Sequence, residues 1–275
     1  MSATALPALS GKFALVTGAS AGIGAAFARE LAARGAALVL TARRTERLEA
    51  LAAELRERHG TRSECIAADL ADPAAPAALC TEIERRGIAI DILINNAGYG
   101  LPGHFTKPSW AEHAAFIQVM MSAPCELAYR LLPAMQRRGY GRIGNIASLA
   151  GHIPGSAGHT LYGASKAFLI KFSQSLALEN KARGIHVCAI CPGFTYSEFH
   201  DVTGTRGVVS KMPAYMWLSA EAVVREGLDA MERGEIVHVT GRVNRFIKGL
   251  LKVIPDCMAL RIIEKRQGDF RNQET

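Results

Sequence analysis

The chain has 275 residues, of which 49% are hydrophobic, 21% charged and 7% aromatic; this is a globular composition, long enough to bury a core without disulfides or a structural metal. Lys and Arg number 32 against 25 Asp and Glu, a formal charge of +7. That excess suits phosphate-bearing ligands or an anionic surface, but the two signs are interspersed and nucleic-acid binding is not expected. No run of 18 apolar residues occurs, residues 1–9 lack the features of a secretory signal, and six scattered cysteines read as reduced thiols, so a cytoplasmic protein without a spanning helix is expected.

In chain order, short apolar runs predict strands at Lys12–Thr17, Ala36–Thr41, Ser63–Ala68, Ile90–Asn95, Arg142–Ala147, Ile185–Cys191 and Glu235–Thr240. Helical periodicity fills the intervals at Gly22–Ala33, Thr45–Arg58, Ala74–Arg86, Ala111–Arg137, Leu161–Arg183 and Ala220–Arg233. Strands that are apolar throughout, each followed by a helix, imply a parallel sheet covered on both faces. Right-handed crossovers make this a doubly wound α/β (Rossmann) fold of about seven strands. No linker interrupts the series, so residues 1–241 form one expected domain, with 242–275 as a helical extension.

The segment Thr17-Gly18-Ala19-Ser20-Ala21-Gly22-Ile23-Gly24 joins the first strand to the first helix. Its glycines allow a tight turn and let a diphosphate approach the helix N-terminus, where unpaired N–H groups favour anions. Gly18, Ser20, Gly22, Ile23 and Gly24 are therefore candidate cofactor contacts. The second strand ends in Thr41-Ala42-Arg43-Arg44, without the carboxylate that would accept from an NAD ribose. Two guanidiniums there suit a 2′-phosphate, so NADP(H) is expected in preference to NAD(H); the alternative is a solvated basic loop. Asp69, ending the third strand, either bonds the adenine amino group or caps a turn.

Asn95-Asn96-Ala97-Gly98 ends the fourth strand, which should flank the cofactor with the first strand where the sheet order reverses. Ser148 closes the fifth strand, and Tyr162 and Lys166 lie one helical turn apart on one face. A cation beside a phenol lowers the phenol's pKa and tunes it as a general acid or base. A nearby serine hydroxyl can bond the reacting oxygen.

Together, Thr17–Gly24, Asn95–Gly98, Ser148, Tyr162-x3-Lys166 and Pro192-Gly193 resemble the short-chain dehydrogenase/reductase family, in its order and spacing from about Gly11 to Thr240. The resemblance implies reversible hydride transfer between a nicotinamide and a carbonyl or secondary alcohol carbon. It makes Tyr162 the proton donor or acceptor, Ser148 the group that orients the reacting oxygen, and Lys166 the partner of both Tyr162 and the nicotinamide ribose. Asn95, Ala97 and Gly98 would line the cofactor cleft, and Pro192, Gly193 and Ser197 would hold the carboxamide. Helices 111–137 and 161–183 would pair copies into a homodimer or homotetramer.

One position departs from the family. Where a relay asparagine is usual, counting back from Leu132-Pro133 reaches Met120, whose thioether is a weak acceptor and no donor. Met121 and Ser122 are its neighbours. This departure keeps open a cofactor-binding protein with little turnover.

Other features read more plainly. Cys188-x2-Cys191 lies in a predicted buried strand, where residues three apart face opposite sides and cannot chelate together; no metal-ligand spacing occurs elsewhere. His152 and His159 lie between Ser148 and Tyr162, at the surface or in the path of substrate. The stretch 194–217 carries Phe199, Tyr215 and Trp217, suggesting a hydrophobic substrate. In 242–275, eight Lys/Arg stand against four Asp/Glu, and Val243, Phe246, Ile247, Leu250, Leu251 and Ile254 recur at helical spacing. This tail either lies on an anionic membrane or packs on the protein.

Overall fold

A computed structural model describes residues 9–101, 103–158, 160–196 and 213–266. Seven parallel strands form one sheet: β1 (Phe13–Thr17), β2 (Ala37–Ala42), β3 (Ser63–Ala67), β4 (Ile92–Asn95), β5 (Gly141–Ile146), β6 (Ile185–Cys191) and β9 (Val237–Val239). Their spatial order is β3-β2-β1-β4-β5-β6-β9, and a separate two-stranded sheet pairs β7 (Phe194–Tyr196) with β8 (Trp217–Ser219). The order reverses between β1 and β4, so the loops after these two strands border one crevice.

Helices cover both faces. Residues of α1 (Gly22–Ala33), α2 (Thr45–His59) and α7 (Ala220–Glu232) share one buried cluster that includes Phe27, Leu31, Leu48, Leu55, Val224 and Leu228. On the opposite face, α3 (Ala75–Arg85), α5 (Ala123–Arg138) and α6 (Thr160–Asn180) bury Leu79, Ile83, Leu127, Met135 and Ala177 against β1, β4 and β5. This two-sided burial is why the strands read as apolar throughout.

The long helix expected at 111–137 is not uniform. It starts as α4 (Trp110–Ile117), with Ser109 and Glu112 forming a reciprocal capping box. It widens into a π turn at Gln118–Ser122 and continues as α5. Pro124, in the first turn of α5, has no N–H for an α-helical bond to the carbonyl of Met120. The amide of Ala123 reaches back to the Gln118 carbonyl instead, which inserts the extra residue of a π turn. Met120 is consequently turned inward and buried.

A polar network crosses the core beneath this turn. The Asn95 amide donates to the Pro124 carbonyl at 3.2 Å and to Asn145 Oδ1 at 2.9 Å. Asn145 in turn donates to Ser173 Oγ at 2.8 Å, and Ser173 to the Leu169 carbonyl at 2.7 Å. Buried groups left without a partner carry their full desolvation cost. Replacing Asn145→Ala strips both neighbours, and the urea midpoint at fixed protein concentration should fall by the equivalent of about 1–3 kcal/mol; an unchanged midpoint contradicts a net stabilising role for the network.

Beyond the sheet, the tail forms α8 (Arg242–Leu251) and α9 (Asp256–Arg266), separated at Pro255. No helix of the described residues is long and apolar enough to cross a membrane.

Candidate active site

The crevice at the sheet reversal is built from backbone constraints. Gly18 has φ +66°, and a Cβ at Gly24 would collide with the Gly18 carbonyl and the Asn96 amide. The loop can therefore close on itself only with glycine at both places. Thr17 Oγ1 donates to the Ile94 carbonyl and accepts from the amides of Asn96 and Ala97 at 2.9 and 3.0 Å. The Asn96 side chain donates to the carbonyls of Thr17 and Gly18 at 2.9 and 3.3 Å. These bonds fix the glycine loop to the end of β4.

Helix α1 starts at Gly22 with no side-chain cap on Ala21 and no acidic residue in its first turn. Its leading N–H groups and dipole are thus free of the side-chain anion that stabilises α4. That donor set fits the diphosphate of a dinucleotide. At the end of β2 the exposed Arg44 donates to Ser20 Oγ of the same loop, at 3.1 and 3.4 Å. The exposed Arg43 and Asp69 both act electrostatically on Tyr99, whose phenol is pushed up by burial first, lowered by Arg43 and raised by Asp69. Asp69 also accepts from the amide of Ala71 at 3.1 Å, which is the turn-capping role.

Asn95 ends β4 at the mouth of the crevice. Its side chain is committed to the core network, and Asn96 is the residue that stitches the crevice. Gly98 is exposed, and a Cβ there would meet Met120 Sδ at 2.9 Å. Met120 therefore lies directly beneath the cofactor-side loop. Ala97 packs at the edge of a small cluster with Leu70 and Val119.

The catalytic candidates sit on adjacent elements. Ser148 caps a 3-10 turn at Leu149–Gly151, accepting from the amide of Ala150 at 3.1 Å and donating to the Pro192 carbonyl at 3.4 Å. That turn packs on α6 at Gly151, where a Cβ would strike the backbone of Lys166 and Ala167 at 2.7 and 2.8 Å. Lys166 is buried, donates to the Ile146 carbonyl at 2.7 Å, and lies 5.6 Å from the centre of the Tyr162 ring. Burial lowers its pKa to about 8, against a smaller opposing effect of the nearby Cys191. A hollow beside Tyr162 is walled by Leu101, Phe105, His113, Phe116 and Leu161.

Gly193 lies against the tail. A Cβ there would meet the Asn244 amide, whose Nδ2 donates to the Thr240 carbonyl at 2.8 Å. His152 is half-buried, and burial first, then Lys248, Lys252 and Lys171, lower its pKa to about 4. It is therefore neutral beneath the basic side of α8. Cys188 and Cys191 are both buried free thiols in β6, pushed up to about 12 by burial. Ser197, His159, Phe199 and the rest of 197–212 lie outside the described residues; at the ends of that stretch, Tyr196 stacks on Trp217 at 4.7 Å.

A larger groove of about 690 Å³ lies elsewhere, between α7, β9 and α8, lined by charged side chains such as Glu226, Arg233, Arg245 and Lys252. None of the site residues named above belongs to it. Sequence reasoning missed Asn96 and Asn244 as structural supports; the doubled asparagine was a visible signal for the first, and nothing in the tail's spacing announced the second.

Comparison with known proteins places these features in a family. The family model described as short chain dehydrogenase matches residues 12–206. Nodulation protein G of Rhizobium sp. (strain N33) is 38% identical over 242 residues, covering 85% of this chain and 97% of that protein. A short-chain dehydrogenase from Sphingobium yanoikuyae, solved in complex with NADPH, is similar with a TM-score of 0.77 and 35% identity, over 89% of this chain and 96% of the other. The bulky-bulky ketone specific alcohol dehydrogenase from Comamonas testosteroni is similar with a TM-score of 0.73 and 32% identity, over 92% and 96% of the two chains. The chain belongs to the short-chain dehydrogenase/reductase family, oxidoreductases that work with a nicotinamide cofactor.

Proposed function

We propose that this protein is an NADP(H)-preferring oxidoreductase acting on a carbonyl or secondary alcohol of a hydrophobic substrate. The observation that carries the cofactor preference is Arg44, whose guanidinium lies on Ser20 of the glycine loop at the end of a strand that supplies no carboxylate. A 2′-phosphate entering there meets charge-assisted donors. A bound nicotinamide supplies or accepts the hydride at the reacting carbon.

The chain's own residues handle orientation and the proton. Ser148, held by its turn beside Pro192, bonds the substrate oxygen. Tyr162 gives its phenolic proton to that oxygen as a carbonyl is reduced, or removes it as an alcohol is oxidised. Lys166 is pinned behind Tyr162 and favours the phenolate by its charge. The apolar wall at Leu101, Phe105 and Phe116, with Trp217 and Tyr196 on the other strand pair, supports a hydrophobic substrate. Asp69, Ala97, Gly98, Pro192, Gly193 and Ser197 complete the proposed cofactor cleft.

Further parts of this reading concern the setting of the enzyme. Exposed Tyr129 on α5 and Leu178 on α6 support pairing of copies through these helices into a homo-oligomer. Six free cysteines support a reducing, cytoplasmic location.

NADPH oxidation against ketones of increasing apolar bulk tests the activity; turnover should rise with apolar bulk and exceed that with NADH. Replacing Arg43→Ala together with Arg44→Ala should raise the Kd for NADPH at least about tenfold, while that for NADH moves by less than about threefold. Equal weakening of both cofactors contradicts the 2′-phosphate reading.

Burial of Lys166 has a consequence for stability. Its folded pKa, about 8 against an ordinary 10.5, means that the charged side chain costs the fold on the order of 3 kcal/mol at pH 7. The unfolded chain binds the extra proton between pH 8 and 10.5, so in this window the cost is relieved as pH rises. Lys166→Met should lower kcat at least about 100-fold yet unfold at higher urea than wild type at pH 7. The margin should shrink between about pH 8 and 10.5; a margin that is absent at pH 7, or that grows with pH, contradicts the assignment.

A further inference from the structure

Helix α8 turns its apolar stripe only partly toward the protein, leaving Val243, Ile247 and Leu251 half-buried. The residue it buries is Asn244, 2% exposed, whereas Phe246 is 72% exposed. Leu250 and Val253 continue the Phe246 stripe at i+4 and i+7, and both are exposed. After Pro255, α9 buries Ala259 and leaves Met258 and Ile262, one turn apart, in solvent. Half of the large hydrophobic side chains exposed among the described residues lie in this one stretch, 246–262. Scattered single apolar residues are ordinary on a protein surface; such a concentration marks a contact surface.

The charge of the same stretch selects the occupant. Residues 242–266 hold seven Lys/Arg against two Asp/Glu, although the whole chain exceeds neutrality by only seven. Arg245 is bound to Glu226 at 3.0 Å, while Arg242 and Lys252 are exposed beside the apolar stripe. A twofold contact between two copies would set this positive patch against itself. An apolar stripe flanked by cations complements a bilayer whose headgroups are anionic and whose acyl boundary accepts Phe and Leu.

We propose that α8 and α9 form a docking surface for an anionic lipid bilayer, lying on it rather than spanning it. Phe246, Leu250 and Val253 enter the headgroup–acyl boundary, and Arg242 and Lys252 meet lipid phosphates. The surface is joined to the catalytic crevice through Asn244, which packs on Gly193. Docking stands independently of the substrate reading above.

The test is sedimentation of the full-length protein with vesicles of phosphatidylcholine alone and with about 30% phosphatidylglycerol. Wild type should pellet with the anionic vesicles, less so as salt is raised, and weakly with phosphatidylcholine alone. Phe246→Ser combined with Leu250→Ser should lower the partition coefficient at least about tenfold, with the thermal midpoint and the mass by light scattering both unchanged. Retention of wild-type binding by the double variant overturns the proposal, as does failure of wild type to pellet. A fall in mass of the double variant, with no vesicle binding by wild type, assigns the face to a second copy.

Discussion

One threonine ties the two halves of the crevice together. Thr17 ends β1 and reaches across to β4 through a donated bond to Ile94 and accepted bonds from Asn96 and Ala97. Parallel sheets open a cleft where their strand order reverses, but that cleft is only a site when its two loops keep a fixed separation. Here the separation is set by hydrogen bonds of 2.9 to 3.3 Å and by glycines that leave no room for slack. The uncapped start of α1, the Arg44 guanidinium and the Gly98–Met120 contact all take their positions from this junction.

The catalytic half is organised around a different expense, a lysine taken out of water. Lys166 donates to the Ile146 carbonyl and lies against the Tyr162 ring. A cation in so dry a position is unfavourable for folding and favourable for a neighbouring phenolate. A side chain held at a cost to stability is a pattern common to functional sites. Met120 is buried at the π turn, and its thioether lies against Gly98.

Much of this was legible in the sequence because burial on both faces writes the strands as continuous apolar runs; β6 spans Ile185–Cys191 as expected, and the others shift by one or two residues. The glycine loop and the Ser148, Tyr162 and Lys166 set were legible from residue type and spacing. What was not legible required knowing which way a side chain turns. Asn95 and Asn96 are adjacent, and only the strand end decides that the first enters the core and the second the crevice. The π turn depends on one absent N–H at Pro124, invisible to a helical pattern that averages over many residues. Strands β7 and β8, three residues each, are too short to show a period. In α8 the periodicity shows an apolar stripe but not which residue the helix buries, which is Asn244, packed on Gly193.

The central claim is that Tyr162 transfers the proton while a nicotinamide bound in the crevice exchanges the hydride. The most direct measurement is single-turnover oxidation of bound NADPH by a reducible ketone, wild type against Tyr162→Phe, with cofactor Kd measured in parallel. The account predicts a rate at least about 100-fold lower in the variant with NADPH affinity unchanged. Oxidation at the wild-type rate without the phenol would contradict it.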